Sequence, residues 1–363
     1  MTKLRIKLLD NHELTVEEIF SDSDEEVSYC ITQDAKGNLI KEIDIQQELN
    51  TAHIEEFVTV VAFPEDMTSK VMLEIPECYS MMNGFLDKYN PNYFYGPKTT
   101  LFYDAIKQTP GIGIDYRFSS SSFSDNYGNP NPSFLLFDDL VINIKNIRNS
   151  AEFKDKYRKW KENFKKSYDS TRNYVDDLFE KYSKLLVVRL DLGFKQQGVL
   201  GKEEVSIEKT KKLLLKFLNA KRSNNIFSDV VGYVWKLEYG ELKGYHYHLL
   251  IFMNGSNTQR DIYRGLMMGQ YWISLTQGDG VFYVSNFKKR YFAKNGLLGI
   301  GMVSHFEQDK RKNLNTILRY FFKPDQYLKE KPAKGTRTCG KGESMSLSRT
   351  RAGRPRKKRN GDS

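Results

Sequence analysis

The chain has 363 residues, 39% of them hydrophobic, and a mean hydropathy of −0.58, so it can bury a sizeable core. No apolar run approaches the roughly 18 residues of a membrane span. Met1 to Arg5 lead into acidic sequence rather than an apolar signal core, and the three scattered cysteines (Cys30, Cys78, Cys339) exclude a disulfide scaffold, so a cytoplasmic protein with no membrane partner is expected. The net charge of +10 splits into −10 over residues 1–70 and +20 over the remainder, and a basic body of that kind has the footprint of a polyanion binder.

Along the chain, residues 1–90 show short apolar–polar alternations such as Leu4 to Leu8, Val27 to Ile31 and Phe57 to Val61. They predict a small acidic β-rich module whose role the sequence does not reveal. Residues 91–134, rich in Tyr, Phe, Pro, Gly and Ser, predict irregular connecting structure, with Ser119 through Pro132 as linker. From 135 the signals strengthen. Phe153, Tyr157, Trp160, Phe164 and Tyr168 recur at helical spacing and predict a long helix over 151–182. A strand at 185–192 follows, then a helix at 205–221, two strands at 230–238 and 245–253, and a helix at 258–275. Short strands near 281–287 and 297–303 and a helix over 312–323 complete the body. The fold class expected is α+β, an antiparallel sheet with the 245–253 strand central and helices around it.

The chemistry concentrates in Tyr245-His246-Tyr247-His248. On a strand, side chains alternate faces, so His246 and His248 point the same way. Glu238 ends the neighbouring strand of a predicted hairpin, with Glu241 nearby in the link. Two imidazoles and a carboxylate suit a divalent ion, and the oxygen ligand leans towards Mg²⁺ or Mn²⁺ without excluding Zn²⁺. Further on, Tyr320 and Lys323 share a face if their segment is helical. A tyrosine oxygen can attack a phosphodiester, and an ammonium beside it can neutralise charge. Tyr327 is a rival nucleophile, with Pro324 between the two. Gly335 to Gly342 almost spells a phosphate-binding loop, but Gly342 stands where Ser or Thr is needed and no apolar strand precedes it, so no ATPase is expected. His12, His53 and His305 have no partners in sequence and are read as structural or surface residues.

The order of an apolar strand (Leu185 to Leu192), His246-Tyr247-His248 and Tyr320 to Lys323 resembles the HUH endonucleases. More closely, Tyr182 to Leu192, Gly244 to His248, Tyr271-Trp272 and Tyr320 through Tyr327 resemble the inovirus-type replication initiators of filamentous phages and bacterial mobile elements. The resemblance covers about 135–345 and implies an HUH-type endonuclease domain there. It implies a metal-dependent nick in single-stranded DNA, with His246 and His248 as metal ligands, Glu238 or the nearby Glu241 as the third, and Tyr320 joined to the 5′ phosphate. Rolling-circle replication would follow, with a host helicase and polymerase as partners. Arg189 and Asp191 fall in the first matching block with open roles. A relaxase or transposase would use the same chemistry. A DNA-binding regulator with a structural metal site, or a phosphoesterase that uses water, are the readings outside it.

Residues 346–363 form a basic tail predicted to be disordered. Arg351, Arg354, Arg356, Lys357, Lys358 and Arg359 are its proposed DNA contacts, and Gly353-Arg354-Pro355 resembles a minor-groove hook. A polybasic tail without selectivity is the equal alternative. Deleting 349–363 is expected to weaken duplex binding and to flatten its salt dependence by about 0.9 log unit for each phosphate that the tail had neutralised. Binding titrations at several salt concentrations check this. A larger drop in affinity on A·T-rich than on G·C-rich duplex selects the hook, and an equal drop selects the polybasic reading.

Overall fold

The computed structural model describes residues 5–7, 13–15, 28–33, 39–44, 51–63, 75–91, 93, 95–119, 132–195, 205–240, 244–322 and 337–343. Four short strands come first: β1 (Arg5–Lys7), β2 (Glu13–Thr15), β3 (Ser28–Gln33) and β4 (Leu39–Asp44). Helices α1 (Thr51–Ala62), α2 (Ile75–Asp87), α3 (Pro97–Gln108), α4 (Pro132–Asn149) and the long α5 (Ala151–Lys181) follow. Then come β5 (Lys184–Phe194), α6 (Ile207–Asn219), β6 (Val230–Gly240), β7 (Gly244–Asn254) and α7 (Asp261–Leu275). The last elements are β8 (Gly280–Val284), α8 (Lys289–Lys294), β9 (Gly301–Ser304), α9 (Gln308–Phe321) and β10 (Cys339–Lys341).

The fold is mixed α+β, with helices around an antiparallel sheet. Its strand order is β10-β6-β7-β5-β8-β3-β4-β1-β2, and β9 pairs with β5 beside β8. Among the described residues the single parallel contact joins Lys7 to Ile40 at the far edge. No helix among the described residues is long and apolar enough to cross a membrane.

Two expectations for the N-terminal third are corrected. Phe57 to Val61 lies in helix α1, not in a strand, and 91–134 contains helix α3 and the start of α4 rather than only irregular connection. In the first case β-branched residues drew the strand reading, yet Ile54, Phe57, Val58 and Val61 already stand at helical spacing, and all four are buried. In the second, Pro97 opens the helix at a position where its missing N–H costs nothing, and Leu101, Phe102, Ala105 and Ile106 form the buried face. These helices enclose a core of their own, where Phe57, Phe85, Phe102 and Phe137 meet ring to ring. The expected linker at 119–132 falls almost wholly outside the described residues.

Downstream the expected elements are present. Ser150 caps α5, its Oγ accepting from the Phe153 N–H at 3.2 Å, and Ser206 caps α6 in the same way. The sheet carries a core on each face. Leu186, Val188, Leu190, Tyr247, Leu249 and Ile251 face α6 and α7, whereas Leu185, Val187, Val234, Leu250 and Phe252 face α5 and α9. The strand expected over 281–287 stops at Val284, because Asn286 turns inward. Its Nδ2 donates to the Val187 carbonyl at 2.9 Å and its Oδ1 accepts from the Arg189 N–H at 2.9 Å. It thereby fills the place on β5 between the segments paired with β9 and with β8.

Helix α7 lies close on the sheet because Gly265 and Gly269 face it. A Cβ on Gly269 would stand 2.2 Å from the Phe282 ring. Gly269→Ala is therefore expected to overpack this contact and cost about 1–3 kcal/mol, read as a lower melting temperature. Gly113→Ala, with nothing within 4 Å of the new methyl, should melt like the parent.

Candidate metal centre

The site begins with strand register. Glu238 of β6 stands opposite His246 of β7, and His248 is flanked by Lys236 on β6 and Asp191 on β5. All five side chains, with Arg189, belong to the α5/α9 face of the sheet, since they continue the alternation of Val187, Val234 and Leu250. Tyr245, Tyr247 and Leu237 anchor the same strands in the opposite core.

The Glu238 Oε2 lies 2.9 Å from His248 Nε2 and 3.7 Å from His246 Nε2. One ligand atom from each of the three residues falls within 4.8 Å of the others, so Glu238, His246 and His248 can hold a metal ion. The two imidazole planes are nearly perpendicular, at 87°, with centroids 5.1 Å apart.

The other nitrogens are already engaged. His248 Nδ1 donates to Asp191 Oδ1 at 2.7 Å, and His246 Nδ1 donates to the Gly244 carbonyl at 3.1 Å. A donating Nδ1 leaves Nε2 as the ligating atom, so both rings are oriented towards Glu238 by their outer partners. Lys236 Nζ holds Glu238 Oε1 at 3.1 Å.

The electrostatics follow from burial opposed by charge. Burial raises the Glu238 pKa, but His248, His246 and Lys236 outweigh it and hold the carboxyl well below its usual range. Burial likewise raises Asp191, and His248 with Arg189 brings it below its usual value. Burial lowers the His248 pKa, and the two carboxylates reverse that and push it up to about 9. Between Asp191 and Glu238 the ring is a cation near neutral pH.

Among the sequence-derived residues, Glu238 joins the His pair, and Glu241 lies outside the described residues. Tyr320 is half exposed on α9. The next residue, Phe321, is buried with its ring 6.1 Å from that of His248 and 5.7 Å from the Arg189 guanidinium carbon. The helix bearing Tyr320 thus packs on the face that bears the histidines. Lys323, Tyr327 and the tail residues lie outside the described residues. His305 is tied through Nδ1 to the Ser183 carbonyl at 3.0 Å, a structural use. The near-match to a phosphate loop contributes Cys339–Lys341 as an edge strand on β6. Two partners had no assigned role in the sequence, Asp191 and Lys236. Their strand parity with Val187 and Val234 is the signal that places them.

Adding Mn²⁺ is expected to raise the melting temperature, and His246→Ala or His248→Ala should remove that rise. Because the folded pKa of His248 exceeds its unfolded value near 6.5, its charge stabilises the metal-free fold fully below pH 6.5, and this is lost as pH climbs towards 9. Over the same window the ion competes with one proton fewer, so Mn²⁺ affinity should increase by up to about tenfold per pH unit. Calorimetric titration at several pH values checks the slope.

The family model described as the YagK/YfjJ C-terminal domain matches residues 148–271. No curated protein matches the chain, and no solved structure does. The matched stretch runs from the end of α4 to within α7, so it includes Asp191, Glu238, His246 and His248 and stops short of Tyr320. Over that stretch the chain is similar to the YagK/YfjJ C-terminal domain.

Proposed function

We propose that this protein is a rolling-circle replication initiator of the HUH type, which nicks and rejoins single-stranded DNA at an origin. The observation that carries the reading is the convergence on one sheet face of two imidazoles, a buried carboxylate and the helix that bears Tyr320. Mg²⁺ or Mn²⁺ held by His246, His248 and Glu238 would polarise the oxygens of the scissile phosphate. The Tyr320 oxygen bonds to phosphorus as the bond from phosphorus to the 3′ oxygen breaks, and the phenolic proton ends on the released 3′ hydroxyl. Lys323 neutralises charge on the phosphate. Attack by a 3′ hydroxyl on the tyrosyl phosphate reverses the step and rejoins the strand. Asp191 acts through His248 by fixing its ring, and is a positioning residue. The +20 balance of the chain beyond residue 70 supports duplex and single-stranded DNA as partners. A host helicase and polymerase would extend the free 3′ end in the cytoplasm of a cell carrying a phage or other mobile element.

A second reading has one observation in its favour. The stretch similar to the YagK/YfjJ C-terminal domain holds the three candidate ligands without Tyr320. A phosphoesterase that uses water in place of tyrosine would need only those residues.

Incubation with pooled single-stranded oligonucleotides and Mn²⁺ should yield a covalent protein–DNA species on a denaturing gel, lost on adding EDTA. Tyr320→Phe keeps the ring and should abolish the adduct, a loss of at least about a thousandfold, with binding intact. Peptide mapping that placed the nucleotide on Tyr327 would reverse the ranking of the two tyrosines. Cleavage without any adduct would select the phosphoesterase.

A further inference from the structure

A cleft of about 360 Å³ opens between α5 and the segment that leads from α2 into α3. Its walls are unusually aromatic. Tyr89, Tyr93 and Tyr95 line one side, and the ring of Tyr103 behind them lies 4.9 Å from that of Tyr89 and 5.0 Å from that of Tyr95. Trp160 of α5 lines the other side, seated on Tyr157 with centroids 5.4 Å apart and planes 20° from parallel. These rings are locked by their neighbours but border open space rather than a filled core.

Two cations share the cleft. Lys156 stands one helical turn before Trp160 on the same face of α5 and is exposed. Lys107 Nζ lies 4.7 Å from the Tyr89 ring centroid and donates to its hydroxyl at 2.9 Å. Asp104 and Asn90 add hydrogen-bonding groups suited to the edge of a base. Flat rings flanked by ammonium groups match a ligand that is planar and apolar in one part and anionic in the next. A nucleotide chain has both. A proline-rich peptide also docks on tyrosine-lined grooves, but its uncharged backbone gives the two lysines no role. One further contact gives the cleft a direction. The Tyr93 ring lies 5.8 Å from that of Tyr239, which follows Glu238 on β6 but faces the α6/α7 core, so the cleft approaches the end of the hairpin from the side of the sheet opposite the metal centre.

We propose that this cleft binds single-stranded DNA, with bases stacked on Tyr93 and Trp160 and phosphates on Lys107 and Lys156, and so holds the strand near the end of the hairpin that carries the metal centre. The proposal rests on the nickase reading for its biological use, but the binding is measurable without it. The full chain carrying Tyr320→Phe, for which the nickase reading expects no adduct, is titrated without added metal against a labelled oligothymidylate of about 12 nucleotides. Tyr93→Ala and Trp160→Ala should each weaken binding by about 5- to 100-fold. Lys156→Ala, which alters only an exposed side chain, should lower the salt slope by about 0.7. The Mn²⁺-dependent rise in melting temperature should stay unchanged in all three, which reports an intact fold and metal centre.

Equal affinity in the parent and in both Trp160→Ala and Lys156→Ala overturns the proposal. So does tryptophan fluorescence that responds to a proline-rich peptide in the parent but not in Trp160→Ala, and to the oligonucleotide in neither. An adduct assay on the protein with Tyr320 intact separates the two ideas. Cleft-dependent binding without an adduct removes the nickase reading and leaves the cleft, whereas an adduct with binding indifferent to the cleft does the reverse.

Discussion

Everything at the candidate centre depends on the register between β6, β7 and β5. Side chains on a strand alternate with a period of two, so a slip of one residue would send His246 and His248 into the α6/α7 core and bring Tyr247 to the face they occupy. That slip is opposed from both sides. Tyr245, Tyr247 and Leu249 are buried against one layer of helices, and Leu250 and Phe252 against the other. The ladder runs without a shift from Gly232 opposite Phe252 to Gly240 opposite Gly244, and the bulge lies at the far end, near Val230. The histidines are held by hydrophobic packing that they do not themselves supply.

The same face illustrates how a buried carboxylate is tolerated. Glu238 is almost completely shielded from water, a position that would neutralise an isolated acid. It remains ionised because Lys236 engages one oxygen and the imidazoles engage the other. His248 in turn lies between two carboxylates. Removing any one member leaves its partner buried with an unmatched charge, so the group behaves as a unit rather than as a sum of pairs. A cation delivered to the Nε2 atoms enters a place already organised for positive charge.

Much of the C-terminal half was legible in the sequence because its signals are local. The His-Tyr-His spacing, the Gly-bounded hairpin and the amphipathic α5 each follow from a single periodicity. The centre's outer partners were less legible, since Asp191 and His248 are 57 residues apart and meet only through strand pairing. Asn286 was hidden for the same reason. Its bonds to Val187 and Arg189 cross nearly a hundred residues, and nothing local distinguishes it from an ordinary loop asparagine. The N-terminal error had another origin. In α1 the β-branched residues favoured a strand by propensity, while tertiary burial of Ile54, Phe57, Val58 and Val61 decided for a helix.

The short edge strand β10 has a consequence for reach. Its residues Cys339 and Lys341 pair with Lys236 and Val234, and the Thr338 carbonyl accepts from the Leu237 N–H at 2.7 Å. The chain past α9 therefore returns to the very strand that carries Glu238. Arg349 follows Lys341 by eight residues. Even fully extended, that segment spans only about 26–29 Å, so the first arginine of the basic tail is leashed within that radius of the end of β10. On the proposed reading of the tail, a polyanion bound at Arg349 would be confined to that radius beside the sheet, and its effective concentration there would be set by the tether rather than by the solution.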